Sequence, residues 1–155
     1  MTLTQDQLDR YALAFSSSDM LRHLGLTCSV SPHAVTIVLA AVDNVHRGGM
    51  GSQAVNGGVL SAMFDFALGN VGILVEPLRR YATVQIALMF ERAVRGGSVR
   101  CVASIERAAP NLVFASARIL DENGTVCSRA TGMISLGREV SLDEWCTAIS
   151  SHGGT

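Results

Sequence analysis

Residues 54–75 read AVNGGVLSAMFDFALGNVGILV, a run of 22 residues with one charged side chain, Asp65. Its apolar residues point in every direction around a helical wheel, which predicts a helix wrapped by protein on nearly all sides. Asn56 is a preferred N-cap residue, and Pro77 ends the helix. The run is long enough to cross a membrane, but its aspartate, two asparagines and four glycines would be costly in a bilayer. We therefore expect a buried central helix and no membrane partner.

Two short helices and a hairpin are predicted before this segment. Thr4 and Gln7 match a capping box, and apolar residues follow at helical spacing. A second helical turn ends at Gly25, since glycine commonly follows the last residue of a helix. Residues 26–31 and 34–42 are rich in Val, Ile and Thr, which predicts two paired strands.

Four strands are predicted after the central helix, with short turns between them. Because tight turns connect antiparallel neighbours, we expect strands that are consecutive in sequence to pair. Ser141 and Glu144 open a C-terminal helix as a second capping box. One helix between strands on both sides predicts an α+β fold, in which an antiparallel sheet curls around the central helix. The predicted strands are residues 81–93, 98–107, 112–120 and 125–136.

Composition limits the kinds of function. The chain has 155 residues, 12 arginines, no lysine and 13 acidic residues, which gives a net charge of −1. Chemistry that needs an amine, such as a Schiff base, is excluded, and no basic field is present to attract nucleic acid. Charged residues make up only 16% of the chain, below the usual quarter, and this favours an oligomer that hides extra surface.

Cysteines, histidines and the N-terminus give further limits. Cys28, Cys101 and Cys127 lie in strand-like apolar runs without C-x-x-C spacing, so we expect buried free thiols in a reducing compartment. The histidines have no cysteine or carboxylate at ligand spacing, so no metal site is expected. No nucleotide-binding fingerprint or serine-hydrolase elbow occurs, and no cofactor is predicted. Residues 1–10 carry no secretory signal, which predicts a cytoplasmic location.

Chemistry is predicted at the start and in the middle of the central helix. At Gly57 and Gly58 the first backbone N–H groups have no partner inside the helix and carry the positive end of its dipole. Without a Cβ, glycine lets a carbonyl oxygen approach these donors closely. Asp65 is the only ionisable residue between Arg47 and Glu76. A carboxylate on a helix that we expect to be buried is costly unless it has a use, which makes it the candidate catalytic residue.

The spacing of these groups indicates two copies of the chain. Gly58 and Asp65 are seven residues apart, or roughly 10 Å along the helix axis. One reacting carbon cannot lie about 3 Å from both in the same chain. A two-fold dimer with antiparallel helices would bring the glycine amides of one copy near Asp65 of the other. We therefore expect a homodimer.

The motif and the order of elements resemble those of the hotdog-fold acyl-CoA thioesterases, in the PaaI-like branch named after the phenylacetate pathway. Those proteins typically have His-Gly-Gly followed by an Asp or Glu nine positions after the His, and Asn-Gly-Gly at 56–58 with Asp65 keeps that spacing. Their strand after the helix often begins with Ser/Thr-Val and ends in an aromatic residue and a basic or polar corner. Here these are Thr-Val at 83–84 and Phe-Glu-Arg at 90–92. The resemblance covers about residues 21–136.

The resemblance implies a sheet that wraps the long helix, two copies joined into one continuous sheet, and active sites at the dimer interface. It also implies that such dimers often pair, so a homodimer or a homotetramer is expected. It implies that the amides of Gly57 and Gly58 polarise the thioester carbonyl. It also implies that Asp65 from the partner chain acts as nucleophile or general base, and that Thr83 orients the water or the carboxylate. Asn56, in the position of the family's histidine, caps the helix and is a candidate for substrate contact.

Side chains near the helix are candidates for binding the substrate. His46 is a candidate for substrate contact or proton transfer, and arginine forks suit the phosphates of coenzyme A. Gln53 or Asn44 is a candidate for holding water, because Met50 stands where some relatives have an asparagine. The predicted substrate-binding residues are Gln53, His46, Arg47, Arg79, Arg80 and Arg92.

The predicted function is hydrolysis of an acyl-CoA to free acid and coenzyme A. An alternative is a non-catalytic hotdog module that binds acyl-CoA or acyl-carrier protein, which the departures at Asn56 and Met50 favour. A dehydratase or hydratase on the same fold fits less well, because such enzymes pair a His with a carboxylate and no His lies on the long helix. We expect a single hotdog domain over residues 1–155, with a helical segment at 1–24, a core at about 21–138 and a C-terminal helix and tail at 139–155.

Overall fold

Six strands form one antiparallel sheet within the described part of the chain. The structure is a computed structural model that describes residues 2–49 and 52–150, without the side chains of the last two. In chain order the strands are β1 (Leu26–Ser31), β2 (Ala34–Leu39), β3 (Arg79–Phe90), β4 (Val99–Ala109), β5 (Leu112–Asp121) and β6 (Val126–Glu139). Their order across the sheet is β1-β2-β4-β5-β6-β3, so β1 and β3 are the two edges.

Four α-helices accompany the sheet in the same residues: α1 (Gln5–Ser16), α2 (Asp19–Leu24), α3 (Gly57–Gly69) and α4 (Leu142–Ser150). α3 packs on one face of the sheet and contacts β2 to β6. A short 3-10 helix, Val71–Leu74, continues the segment after Asn70. The predicted α+β fold, with an antiparallel sheet around a central helix, is confirmed. The side chains that α3 buries in the core are Val59, Leu60, Met63, Phe64, Ala67 and Leu68.

One side of the central helix is not covered by its own chain. By length and composition the segment Gly57–Leu74 could cross a membrane, and 56% of it is buried inside the protein. It forms the core helix of the sheet, as predicted. The prediction of protein on nearly all sides is wrong for a single chain, because Gly58 and Asp65 lie on an exposed stripe where the sheet ends at β3.

β3 does not pair with β4, which corrects the prediction that residues 81–93 and 98–107 are neighbours. β3 ends at Phe90, so residues 91–98 connect the two strands. An extended connection of this length spans up to about 26 Å, whereas three strand spacings need only about 14 Å. β3 therefore reaches the far edge beside β6, and β4 pairs with β2 and β5. The predicted hairpins β1–β2, β4–β5 and β5–β6 are confirmed.

Caps define the ends of the terminal helices. Thr4 and Gln7 form both bonds of the first predicted capping box, and Gly25 ends α2 with a φ of 68°. The second predicted box is incomplete. Ser141 Oγ accepts a hydrogen bond from the Glu144 N–H at 3.0 Å, but the Glu144 carboxylate forms ion pairs with two arginines of the sheet.

α1 and α4 pack together over the C-terminal end of α3. The buried Tyr11 hydroxyl donates a hydrogen bond to Asn70 Oδ1, and the Asn70 amide donates to the Phe66 carbonyl at 2.7 Å. Trp145 packs edge-on against Tyr11 and stacks on Tyr81. Burial holds the pKa of Tyr11 well above its usual value, so the hydroxyl stays a neutral donor. This cluster closes the end of the core opposite the helix N-terminus.

None of the four cysteines, all of which lie in the described residues, forms a disulfide. Cys101 and Cys127 are buried in the sheet, whereas Cys28 on β1 is only half-buried, which corrects its predicted burial. Burial raises the pKa of the Cys28 thiol to about 12 and also raises that of Cys101. These two thiols are therefore protonated and poorly nucleophilic near neutral pH.

Candidate active site

The candidate site residues lie along the line where β3 and α3 run antiparallel beside each other. At one end of this line, Thr83 Oγ1 is 3.0 Å from the position that a Cβ on Gly69 would take. At the other end, the Phe90 ring is 3.7 Å from the corresponding position on Gly57. The end of β3 therefore lies against the start of α3.

Asp65 is held by one hydrogen bond. The Thr83 hydroxyl donates to Asp65 Oδ1 over 2.9 Å. Within the described residues Oδ2 has no hydrogen-bond donor. The prediction of a buried carboxylate is wrong for a single chain: Asp65 is exposed, because nothing follows β3 at the edge of the described sheet. The carboxylate is thus oriented at one oxygen and open at the other.

Asn56 caps α3 and connects it to the preceding loop. Its Oδ1 accepts a hydrogen bond from the Gly58 N–H at 2.7 Å, and its Nδ2 donates to the Gly48 carbonyl at 3.1 Å. The Gly57 N–H, by contrast, has no acceptor among the residues that the structure describes. Of the two predicted amide donors only Gly57 is therefore unoccupied. The predicted N-cap role of Asn56 is confirmed.

Gly57 and Asp65 do not meet within one chain. They stand eight residues apart on α3, which corresponds to about 12 Å along the helix axis. A carbonyl held by the Gly57 N–H is therefore out of reach of Asp65 in the same copy. Any reaction that uses both groups requires a second chain.

His46 belongs to the loop structure. Its side chain is buried, at 3% exposure. Nε2 lies 2.7 Å from the Leu24 carbonyl, and Nδ1 lies 3.1 Å from the backbone nitrogen of Asp43 and 3.0 Å from its Oδ1. The Leu24 carbonyl can only accept, so Nε2 carries the hydrogen and donates to it, and Nδ1 accepts from the Asp43 N–H. The imidazole thus fixes the loop to the end of α2, and its predicted substrate contact stays a prediction.

Arg47 clamps the same loop. Its guanidinium donates to the carbonyls of Gln53 at 2.8 Å, Gly96 at 3.3 Å and Arg95 at 3.5 Å. Its backbone also forms a bridge with Val55. These hydrogen bonds fix the loop through the Arg47 guanidinium, and its predicted substrate contact stays a prediction. The Gln53 side chain is exposed and stays a candidate.

The arginine pair at the start of β3 is also used inside the protein. Arg79 donates four hydrogen bonds, at 2.7 to 3.1 Å, to the turn between β4 and β5 and to β6. Arg80 pairs with Glu144 at 3.3 Å, and its guanidinium lies over the Trp145 ring at 5.7 Å. These contacts hold the sheet together and attach α4, and the predicted phosphate contacts of both residues stay predictions.

Arg92 is the predicted arginine that lies near the helix N-terminus. It is exposed, and within the described residues its guanidinium has no hydrogen-bond or ion-pair partner. It lines a cleft of about 270 Å³ together with Gly57, Leu60, Phe90 and Glu91. The free guanidinium is thus available to a ligand that enters this cleft.

Phe90 was not among the predicted site residues, although it stands against Gly57. Simple alternation places Thr83 and Phe90 on opposite faces of β3, since they are seven residues apart. A β-bulge between Thr83 and Gln85 inserts one extra residue and brings both onto the α3 side. The bulge has no clear signal in the sequence, and only the strand register reveals it.

Two further expectations concern residues around the loop. Met50 lies outside the described residues, and Asn44 is exposed. In the part of the chain that the structure describes, no three His, Cys, Asp or Glu side chains come together as a metal site.

A comparison with protein families matches residues 53–128 to the thioesterase superfamily. The chain belongs to the thioesterase superfamily. The matched residues include Asn56, Gly57, Asp65 and Thr83. Membership in the thioesterase superfamily supports thioester hydrolysis as the general activity. A comparison with curated proteins finds no match.

Solved structures share this thioesterase-superfamily fold. The PaaI protein from the phenylacetic acid degradation operon of E. coli is 15% identical, with a TM-score of 0.76 over 88% of this chain and 99% of its own. A thioesterase from Haemophilus influenzae is 20% identical, with a TM-score of 0.72 over 88% and 92%. A mutant thioesterase from Pseudomonas aeruginosa is 16% identical, with a TM-score of 0.71 over 88% and 96%. At these identities the likeness concerns the fold, and the predicted hotdog fold is confirmed.

Proposed function

We propose that this protein hydrolyses an acyl-CoA thioester to the free acid and coenzyme A, at a site that two copies of the chain share. The observation that carries the proposal is the hydrogen bond between Thr83 and Asp65 on an exposed helix face beside a strand edge. This bond orients the Asp65 carboxylate. The Gly57 N–H of the same chain is too far along α3 to act on the same carbonyl group.

The free edge of β3 supports the shared site. β3 pairs with β6 on one side only, and its residues 81–90 include no charged side chain. Val84, Met89 and Phe90 are 56%, 61% and 53% exposed. A long apolar edge strand favours pairing with another chain. We infer a second copy as the partner, because antiparallel pairing of β3 with itself joins two sheets into one under two-fold symmetry.

A two-fold axis midway between Thr83 and Phe90 gives such a dimer a specific register. In that register Thr83 of one copy lies opposite Phe90 of the other. Thr83 holds Asp65, and Phe90 stands against Gly57. The carboxylate of one copy then faces the helix N-terminus of its partner, and the dimer contains two such sites.

The reaction follows from these two groups. The Gly57 N–H and the positive end of the α3 dipole stabilise negative charge on the thioester oxygen during attack. Asp65 acts either as a general base, taking a proton from the water that attacks the carbonyl carbon, or as the nucleophile itself. With Asp65 as base, the water oxygen bonds to the carbonyl carbon, the carbon–sulfur bond breaks, and the proton taken by Asp65 passes to the leaving sulfur. With Asp65 as nucleophile, an anhydride between Asp65 and the acyl group forms as the carbon–sulfur bond breaks. Water then hydrolyses the anhydride to the free acid, and the proton released by this step converts the coenzyme A thiolate to the thiol. Thr83 holds Oδ1, so Oδ2 is the reacting oxygen.

A non-catalytic module that binds acyl-CoA or acyl-carrier protein is the second candidate. The observation that favours it is the state of Asn56, whose amide is used as a cap and as a loop contact. An amide also cannot transfer a proton near neutral pH. A dehydratase is less consistent with the geometry, because His46 is buried and bound at both nitrogens.

Thiol release from a panel of acyl-CoA thioesters tests the proposal. We expect saturable hydrolysis of at least one acyl-CoA, and turnover lower by on the order of 10²-fold or more in Asp65→Asn. Asp19→Asn removes an exposed carboxylate from α2 and, as the matched control, keeps wild-type turnover. Binding of acyl-CoA without thiol release favours the module. Full activity of Asp65→Asn removes this residue from the mechanism.

Assembly and location complete the proposal. A homodimer joined through β3, or a homotetramer made of two such dimers, is the expected active form. A cytoplasmic location stays a prediction from the sequence.

A further inference from the structure

The face of the sheet opposite α3 carries two arginines at directly opposed positions. Arg118 on β5 and Arg129 on β6 are cross-strand partners. Such partners have Cβ atoms about 5 Å apart, and like charges at this spacing destabilise a sheet. Both side chains are exposed, and both line one cleft of about 340 Å³, which we call the outer cleft. An opposed like-charge pair that lines a cleft indicates a site for an anion.

Nearby carboxylates compensate this positive charge only in part. Glu91 pairs with Arg129 over 3.1 Å. Within the described residues, Arg118 has no ion-pair or hydrogen-bond partner. Arg100 on β4 lies diagonally across from Arg118 and adds a third positive charge. On the same face Glu106 is hydrogen-bonded to a serine of β5. The outer cleft therefore has an excess of positive charge.

The outer cleft has the size and the lining of a small-molecule site. Met89, which is 61% exposed, forms an apolar wall, and Thr131 adds a hydroxyl group. Clefts that hold small ligands have volumes from about 300 Å³ upward, whereas stable protein partners bury wide surfaces. A phosphate attached to an apolar ring system fits this combination better than an acidic protein surface does.

One ion pair near the end of β3 joins a residue of the outer cleft to a residue of the cleft beside Gly57. Glu91 lines the cleft beside Gly57 and pairs with Arg129, which lines the outer cleft. The backbone N–H groups of Glu91 and Arg92 both donate to the Cys127 carbonyl, at 3.0 and 2.8 Å. These two hydrogen bonds attach the first residues after β3 to the start of β6. One ligand can therefore reach both clefts around this end.

We propose that the outer cleft is the subsite for the phosphate groups of the coenzyme A nucleotide, bound by Arg118 and Arg129. This subsite rests on the proposed function. It would bind the nucleotide of the substrate, which takes no part in the reaction. Arginine forks bind phosphate through parallel hydrogen bonds, and a phosphate between the two guanidinium groups removes their repulsion. The pantetheine arm passes the end of β3, beside Arg92, to the thioester at Gly57.

Equilibrium binding of coenzyme A and of adenosine 3′,5′-bisphosphate to the full chain tests the subsite without turnover. We expect Arg118→Gln to weaken both ligands about tenfold, because a charge-assisted phosphate contact is lost. Arg107→Gln is the matched control. It removes the same charge from the same face, where Arg107 lies over the Phe114 ring at 4.4 Å and outside the outer cleft, and it keeps wild-type affinity.

A kinetic comparison uses an acyl-CoA and the same acyl group on N-acetylcysteamine, which lacks the nucleotide. Arg118→Gln raises KM for the acyl-CoA about tenfold with little change in kcat, because the lost contact is remote from the reacting carbon. The preference in kcat/KM for the acyl-CoA over the short thioester then falls by about the same factor.

Equal affinity of the wild type and Arg118→Gln for coenzyme A overturns the subsite. Equal losses in Arg118→Gln and Arg107→Gln also overturn it, because the effect is then one of net charge. An effect of Arg118→Gln on an acyl-carrier protein but not on an acyl-CoA overturns the choice of ligand. Weaker coenzyme A binding in a protein that hydrolyses no thioester supports the subsite and rejects the proposed hydrolase, so the two failures are distinguishable.

Discussion

Thr83 donates its hydroxyl hydrogen to Asp65 Oδ1 over 2.9 Å, and this bond connects the edge strand to the exposed stripe of the central helix. It restrains one carboxylate oxygen and leaves the other open. Because the described sheet ends at β3, the bonded pair stands where a second copy can join. The orientation of Asp65 and the assembly of the protein are thereby linked through one strand.

Removal of the Thr83 hydroxyl tests whether this bond orients the reacting carboxylate. We expect Thr83→Val to lower kcat about tenfold with KM near the wild-type value, since loss of a hydrogen bond of about 1.4 kcal/mol frees Asp65 to rotate. Thr83→Ser keeps the donor and most of the activity. Steady-state kinetics on one acyl-CoA, with the melting temperature of each variant, measure the effect. Equal kcat in the valine and serine variants would contradict the orienting role.

Substitution of the two helix-start glycines separates oxyanion binding from packing. A Cβ on Gly57 meets the Phe90 ring at an ordinary 3.7 Å, so Gly57→Ala should fold normally. Its methyl group stands beside the unoccupied N–H, and we expect thioester turnover to fall by roughly tenfold or more. A Cβ on Gly58 would lie 3.0 Å from Asn56 Oδ1, so Gly58→Ala should instead disturb the cap and cost up to about 1 kcal/mol of stability. Full turnover by Gly57→Ala would indicate that this glycine serves packing alone.

A charge on the free edge of β3 tests the shared site. We expect Val84→Glu to raise the dimer dissociation constant by roughly 10²-fold, because an unpaired carboxylate would be buried in the strand pairing. Thioester turnover should fall with the dimer fraction. Val45→Glu places the same charge at a valine that is 77% exposed in the loop and should leave both properties unchanged. Sedimentation velocity over a concentration series measures assembly, and a Val84→Glu dimer as stable as the wild type refutes pairing through β3.

Close packing of the 3-10 helix against β3 predicts a loss of stability in Gly72→Ala. A Cβ on Gly72 would overlap the Tyr81 ring. We expect a loss of about 1–3 kcal/mol in the free energy of unfolding, because the ring is held by its stack on Trp145 and cannot move away cheaply. Gly137→Ala is the control, since its Cβ would lie 3.5 Å from Arg80 Cβ, an ordinary contact. Urea unfolding curves compare the variants, and equal stabilities would show that Tyr81 can adjust.

The sequence by itself determined the elements whose stabilising contacts are local. Asn56 caps an amide two residues away, and Thr4 and Gln7 bond across one helical turn, so both helix starts could be predicted from neighbouring residues. The hotdog fold was predicted from a family resemblance that combines Asn-Gly-Gly at 56–58 and Asp65 with Thr-Val at 83–84 and the order of the elements. The spacing of the helix-start glycines from Asp65 required two chains, because helix rise per residue is a constant of the backbone.

Only the tertiary structure decided which of these groups stand together. Strand periodicity tells which face a residue occupies but not which strand lies beside it, since strand pairing depends on contacts between distant segments. The edge position of β3 and its bulge, which together expose Asp65 and align Thr83 with Phe90, therefore could not be predicted. The partners of the arginines could not be predicted either. Arg79 donates hydrogen bonds to carbonyls more than thirty residues away in sequence, and strand register alone places Arg118 opposite another arginine.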